Sequence, residues 1–127
     1  MPSAHVTTLH VRLAALVETC TACAETCAAC AEAFVECGLT DTFRSCASAC
    51  FDCADVCGTT AQVAARYAGG DFSALAALVQ ACAKACAECA RECGVHGLVA
   101  AGRTAHASLE CKQACDRVSV ALRWGRA

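Results

Sequence analysis

An all-α, antiparallel up-down-up-down four-helix bundle is the fold class that the sequence predicts, and three observations lead to it. The 127 residues include only one Pro and 8 Gly, which argues against disorder and against an all-β fold. Three glycine-containing turn signals separate four long segments rich in Ala, Leu and Glu, residues that favour helix. Within these segments cysteines recur at steps of three and four residues, the spacing of one helix face.

The turn signals set the boundaries of the four predicted helices. They occupy residues 38–41, 69–71 and 94–97, and each begins with a glycine after a helical run. Asp41 and Asp71 are well placed to cap the helices that follow. We therefore predict helices over residues 4–37, 42–68, 72–93 and 97–124. The length suits a single domain over residues 1–127, and the short turns imply antiparallel neighbours.

Each predicted helix carries one seam at the a and d positions of a heptad. Cysteine recurs along the seams of the first three helices, and the seam of the fourth is weaker. The second and third helices share the block C-x3-C-x2-C-x3-C, which reads as an internal repeat. The seam cysteines are Cys20, Cys23, Cys27, Cys30 and Cys37 in the first helix, Cys46, Cys50, Cys53 and Cys57 in the second, Cys82, Cys86, Cys89 and Cys93 in the third, and Cys111 and Cys115 in the fourth.

Antiparallel alignment of the seams predicts four layers of side chains that meet on the bundle axis. At one end an apolar plug closes the bundle: Leu9, Leu13, Leu16, Ala64, Tyr67, Leu75, Val79, Val118 and Leu122. The successive layers beyond the plug are Cys20, Thr60, Cys82 and Cys115; then Cys23, Cys57, Cys86 and Cys111; then Cys27, Cys53, Cys89 and Ser108; then Cys30, Cys50, Cys93 and Thr104. Phe34, Cys46, His96 and Ala101, followed by Cys37 and Phe43, form the far end.

Composition excludes several classes of function. A formal net charge of −2 gives no electrostatic reason to bind nucleic acid or an anionic membrane. Polar residues interrupt the apolar stretches, so we expect no membrane-spanning segment, and the N-terminus does not resemble a secretory signal. The odd number of cysteines, 15, argues against a disulfide scaffold. We therefore expect reduced thiols and a cytoplasmic protein.

Clustered reduced thiols are typical of soft-metal binding, and Cu(I) is satisfied by two or three thiolates. Cysteines four residues apart on one helix face can flank a single ion. Zinc instead prefers separate, closed four-ligand sites, and iron–sulfur clusters usually use cysteine-rich loops. An iron–sulfur electron carrier, a zinc or heavy-metal sequestering protein, and a metalloenzyme or metal-delivery protein remain the alternatives. No nucleophile–base pair or phosphate-binding loop is visible, so we do not expect an enzyme.

The repeated cysteine blocks resemble those of the bacterial four-helix-bundle copper storage proteins, over roughly residues 9–118. The resemblance implies a cytosolic homotetramer whose bundles each hold many Cu(I) ions on the core cysteines. A copper chaperone or a copper-requiring enzyme is the candidate protein partner. The departure is in the fourth helix, where Thr104 and Ser108 occupy seam positions at which family members commonly carry more cysteine. We therefore expect a lower capacity.

The four histidines receive different predictions. His96 lies in phase with the third seam at the thiol-rich end, and we expect it to join the cysteines as a copper ligand where copper enters. His106 is roughly opposite its seam, which indicates a surface or subunit-interface position. His5 and His10 are expected in solvent near the plug. The acidic residues between the cysteines, Asp52, Asp55, Glu88 and Glu92, are expected to form a solvated face.

Overall fold

The computed structural model describes residues 4–38, 41 and 43–124, and these residues form four helices. The helices are α1 (Ala4–Glu36), α2 (Arg44–Arg66), α3 (Ser73–Gly94) and α4 (Val99–Trp124). α1 and α3 each pack against both α2 and α4, which gives the cyclic order of an antiparallel bundle. The predicted fold is confirmed, and each predicted helix end lies within about two residues of the observed one, the usual scatter of helix assignment.

Glycine allows the chain to turn after α1 and after α2. Gly38 has a φ of 68°, and Gly69 and Gly70 have φ values of 106° and 82°. Side chains other than glycine rarely adopt this left-handed region, so these turns depend on glycine. Leu39 and Thr40 of the first predicted turn lie outside the described residues.

The predicted N-caps were wrong in position. Phe43 and Phe72 occupy the N-cap positions of α2 and α3, and neither makes a side-chain capping bond. Asp71 lies one residue further back, where its carboxylate accepts hydrogen bonds from the Ser73 N–H at 2.9 Å and the Ser73 hydroxyl at 2.7 Å. Asp41 forms an exposed ion pair with the first residue of α2. Both phenylalanines pack against the core, and this burial outweighs the capping preference.

The apolar plug forms as predicted. Leu9 and Tyr67 are partly buried against it. Its fully enclosed members come from all four helices: Leu13, Leu16, Ala64, Leu75, Val79, Val118 and Leu122. Alanines beside the seams, such as Ala31 and Ala121, are also buried and let the helices approach closely. Stabilisation by large apolar side chains is therefore concentrated at one end of the bundle.

Two helical segments are long and apolar enough to cross a membrane, by length and composition alone: Thr8–Glu36 and Ser73–Gly94. Their mean hydropathies of 1.3 and 1.2 correct the expectation that interrupting polar residues would exclude any such segment. Cysteine and alanine supply much of this apolar character, and the cysteines face the bundle axis. Core helices of a bundle therefore pass the same test, and the segments give weak support for a membrane span.

Stability should depend on the plug. We expect Leu16→Ala, which empties a fully buried position, to lower the free energy of unfolding by about 2–5 kcal/mol. Leu109→Ala is the matched control, because Leu109 is 48% exposed and its loss should cost about 0.5 kcal/mol or less. Urea denaturation of the reduced, metal-free protein, followed by circular dichroism, measures both. Equal losses in the two variants would show that the plug does not carry the stability.

Candidate metal centre

The cysteines form a continuous column of thiols along the bundle axis. All 15 lie among the described residues, all are free, and every one except Cys37 is buried. The helices place them there because steps of three and four residues keep the same face toward the axis. We call these 14 buried cysteines the thiol column. It begins at the plug and continues to Cys46 near the opposite end.

Two groups of four sulfur atoms lie at the plug end of the thiol column, and both include Cys57 and Cys111. In each group all four Sγ atoms lie within 4.8 Å of one another. Within these groups the Cys57 sulfur lies 3.6 Å from the sulfur of Cys82, 3.7 Å from that of Cys86 and 3.8 Å from that of Cys111. The groups are Cys20, Cys57, Cys82 and Cys111, and then Cys23, Cys57, Cys86 and Cys111; the second is the predicted all-thiol layer.

Two groups of three thiols continue the column away from the plug: Cys23, Cys27 and Cys53, and then Cys46, Cys50 and Cys93. Helix neighbours contribute some of the contacts, such as 3.9 Å between Cys23 and Cys27. Most contacts cross between helices, including 3.5 Å between the sulfurs of Cys50 and Cys93. Pairs four residues apart are thus parts of larger thiol groups, which spacing along one helix does not reveal.

Three hydroxyl groups interrupt the thiols. The Ser108 Oγ lies 3.9 Å from the sulfurs of Cys23 and Cys53 and 3.8 Å from that of Cys27. Thr104 and Thr60 are fully buried, but their hydroxyls donate to backbone carbonyls of their own helices, at 3.0 and 2.7 Å. The predicted substitution of hydroxyl for thiol in α4 therefore creates gaps on that side of the column.

Hydrogen bonds among the thiols separate those that release a proton readily from those that keep it. Donation by neighbouring thiols, above all Cys115 and then Cys20, lowers the pKa of Cys111 to about 6. Neighbouring S–H donors also lower the pKa values of Cys23, Cys82 and Cys89. The thiols that donate these hydrogen bonds have raised pKa values, and the donation is the main cause. They are Cys20, Cys27, Cys50, Cys53, Cys57, Cys86 and Cys115.

The end of the bundle opposite the plug is covered by aromatic rings. The rings of Phe34 and Phe43 stack with centroids 5.1 Å apart. The His96 ring lies nearly perpendicular to that of Phe43, with the two centroids 4.7 Å apart. His96 is half-buried, and it belongs to none of the ligand groups found among the described residues. The seams predicted that these residues share an end. They gave no sign that the rings would stack over it.

Cys37 departs from its predicted place in the seam. It follows the last residue of α1 and is exposed, because the helix has ended and the chain turns at Gly38. Its sulfur therefore lies outside the thiol column. Cys46, predicted beside it, is fully buried, with its sulfur 2.7 Å from that of Cys93.

The remaining polar residues lie largely as predicted. His106 is exposed and its Nε2 is 3.0 Å from the Glu110 carboxylate, four residues along the same helix. His10 is exposed, and the side chain of His5 lies outside the description. The acidic residues between the cysteines point outward: Asp52, Asp55 and Glu88 are exposed, and Glu92 is half-buried.

Buried free thiols at this density define a class of protein that holds soft metal ions. A family model described as copper storage protein matches residues 9–120. A solved structure of a cytosolic copper storage protein from Streptomyces lividans with five coppers is 35% identical, with a TM-score of 0.80; the match covers 88% of this chain and 95% of that one. The chain belongs to the copper storage protein family.

Two further solved structures have the same fold. The Streptomyces lividans copper storage protein Ccsp loaded with 10 copper equivalents is 34% identical, with a TM-score of 0.81, and the match covers 94% of this chain and 92% of that one. A histidine-to-alanine variant of Ccsp is 36% identical, with a TM-score of 0.82, covering 87% and 94%. No curated protein matches at the same level of significance.

The thiol pKa shifts predict that the metal-free protein loses stability at alkaline pH. An unfolded thiol titrates near 9.0, so above that pH the unfolded chain releases protons that the raised-pKa thiols keep when folded. The thiols with a lowered pKa add to the stability of the protein only as the pH rises from their folded pKa to 9.0. Above pH 9.0 their contribution stays constant. The midpoint of thermal unfolding should therefore fall between about pH 9 and about pH 10.

Calorimetry of the reduced, metal-free protein tests this dependence. Cys86→Ala removes one thiol whose pKa is raised, so its midpoint should fall less steeply over the same range. A midpoint that is constant or rises above about pH 9 would contradict these shifts.

Proposed function

We propose that this protein stores Cu(I) on the 14 buried cysteines of the thiol column, in the cytoplasm. The observation that carries the proposal is the continuity of the column. Its groups of thiols either share members or are joined through Cys89, whose sulfur lies 3.9 Å from those of Cys27 and Cys50. A soft ion with a low coordination number can occupy successive sites along such a column. The proposed storage ligands are Cys20, Cys23, Cys27, Cys30, Cys46, Cys50, Cys53, Cys57, Cys82, Cys86, Cys89, Cys93, Cys111 and Cys115.

Sharing of ligands favours Cu(I) over zinc. Cys57 and Cys111 belong to both four-thiol groups, so two separate tetrahedral zinc sites cannot be complete at the same time. Cu(I) needs only two or three thiolates per ion, and a shared thiolate can bridge neighbouring ions. An iron–sulfur cluster needs room for its inorganic sulfides, whereas the sulfurs here already approach to 3.5–3.9 Å.

Cys37 and His96 are proposed to take part in copper entry and not in storage. Cys37 is exposed, and His96 lies beside Phe43 over the end of the column. A ligand at the surface can accept an ion before it moves inward by exchange between sulfurs. Phe34 and Phe43 would have to move to admit it by this path.

The wider setting follows from the same proposal. The protein binds and releases copper and does not catalyse a reaction, since saturated thiolate sites leave no open metal position for a substrate. We propose a homotetramer that exchanges copper with a chaperone or with a copper-requiring enzyme. Neither nucleic acid nor a membrane is a proposed partner, in keeping with the formal net charge of −2.

Anaerobic titration of the reduced protein with Cu(I) tests storage directly. One ion per one to two column thiols predicts saturation at about 7–14 copper ions per chain, with no colour in the visible range. Binding is followed by the ultraviolet absorption of copper thiolates and by metal analysis after desalting. Saturation after about one to four ions would favour a discrete metal cluster, and a brown protein as purified would favour iron–sulfur chemistry.

Capacity should respond to the hydroxyl gap in α4. Ser108→Cys would place a thiol among Cys23, Cys27 and Cys53, and should raise the copper retained against a strong chelator by about one ion per chain. Ser48→Cys is the matched control, because Ser48 is exposed on α2 and a thiol there has no column neighbours. An equal gain in both variants would mean that position in the column does not determine retention.

A further inference from the structure

A cleft on the side of the bundle leads from solvent to one thiol of the column. It lies between α1 and α4 and has a volume of about 400 Å³. Alanines form much of its wall, which leaves it open. We call it the side cleft, and its lining residues are Glu25, Thr26, Ala29, Cys30, Ala33, Ala100, Arg103 and Thr104.

Cys30 differs from every other thiol of the column. It is 5% exposed, whereas the others are 0–1% exposed. Among the described residues its sulfur, like that of Cys115, has no other sulfur within 4.0 Å. Cys115 nevertheless interacts with Cys111, whereas Cys30 is only close enough to Cys46 to interact electrostatically. The side cleft therefore ends at a buried thiol without a partner, one step from the group formed by Cys46, Cys50 and Cys93.

The α2–α3 side of the bundle shows that an alanine-lined cleft alone does not produce this access. A cleft of about 350 Å³ there is lined by Ala49, Ala81 and Ala85 with charged residues at its rim. No cysteine lines it. Two features give the side cleft its access to Cys30. Thr104 stands at a seam position in place of a cysteine and turns its hydroxyl to its own helix. Ala33 and Ala100 leave space beside Cys30.

The shape and charge of the side cleft indicate what can occupy it. Its volume lies in the range of small-molecule pockets and is too small for a folded partner. Arg103 and Glu25 line it from opposite helices, and among the described residues neither forms an ion pair. A guanidinium recognises a carboxylate, and a carboxylate recognises an ammonium group.

We propose that the side cleft is a docking site for a small thiol bearing carboxylate and amino groups, which takes Cu(I) from Cys30. The inference rests on the proposed storage function. The thiol carboxylate pairs with Arg103 and its ammonium with Glu25, so that its sulfur meets the copper held by Cys30. Copper thus leaves sideways, without displacement of the rings of Phe34 and Phe43.

The transfer is a ligand exchange with no change of oxidation state. Incoming thiols bind Cu(I) one after another, and each new Cu–S bond replaces one protein bond, first that to the Cys30 sulfur and then that to the other protein thiolate holding the ion. Each incoming thiol passes its proton to the thiolate that it displaces, so Cys30 becomes a neutral thiol. The products are the copper complex of the small thiol and a protonated Cys30, ready to accept copper from the group at Cys46.

Copper transfer to glutathione tests the proposal, because this thiol carries both charged groups. The protein is loaded fully with Cu(I), and the copper released into the low-molecular-weight fraction is measured anaerobically over time. We expect the rate to saturate with glutathione concentration. Ala33→Leu, which fills the cleft, should slow transfer about tenfold, the factor that corresponds to a barrier about 1.4 kcal/mol higher. The control Ala81→Leu fills the α2–α3 cleft and should leave the rate unchanged.

The charge in the cleft is tested separately. Arg103→Gln should raise the half-saturating glutathione concentration about threefold, as expected for one exposed charge pair. It should leave transfer to cysteamine, which has no carboxylate, unchanged. Ala100→Leu replaces Ala33→Leu if that variant does not fold.

Equal rates in the wild type, Ala33→Leu and Ala81→Leu would overturn the docking site, as would equal slowing in both variants. The preceding copper titration distinguishes this failure from failure of storage itself. If the protein binds many copper ions but the cleft variants transfer copper to glutathione as fast as the wild type, the side cleft alone is refuted. A protein that binds few ions refutes the storage function.

Discussion

Four helices direct cysteine side chains at a common axis over four successive layers, and the rest of the structure adapts to that arrangement. A cysteine side chain is short, so four of them can meet on the axis without filling it as leucines would. Their sulfurs then approach to within 4.8 Å in groups of three or four. The spacing of three and four residues that makes each helix amphipathic is therefore also what assembles the thiol groups.

Filling the axis with thiols weakens the bundle, because each replaces a larger apolar side chain and buries less apolar surface. The plug around Leu16, Val79 and Val118 compensates at one end. Elsewhere buried alanines such as Ala31 and Ala47 let the helices pack closely. The plug and the thiol column thus occupy different lengths of the same four helices, so the apolar contacts of the plug do not depend on a bound ion.

The sequence predicts the helices and the seams well, since both follow from a period that repeats over some twenty residues or more in each segment. The layer formed by Cys23, Cys57, Cys86 and Cys111 follows from aligning those seams, and it is present. Features determined by single residues at helix ends were harder to predict. Asp71 yields the N-cap position to Phe72, and Cys37 leaves the seam because α1 ends one residue earlier.

Other features depend on how side chains from different helices meet, and no spacing rule contains that information. The stacking of Phe34 on Phe43 and the opening beside Cys30 are both of this kind. The presence of Thr104 in the seam was the one available sign that the α1–α4 side would differ. The opening beside Cys30 also depends on the alanines around Thr104, so Thr104 alone did not predict it.

The hydroxyls of α4 make the thiol column asymmetric, and this bears on the order in which copper is held and released. Toward the plug, Cys57 and Cys111 are each shared by two four-thiol groups, so an ion there has several sulfurs within reach. Toward the other end the groups have three members, and Cys30 stands apart from its neighbours. A competing thiolate ligand removes an ion more easily when fewer protein thiolates lie within reach of that ion. The copper nearest Cys30 should consequently be the most exchangeable, and it lies where the bundle is open to solvent from the side.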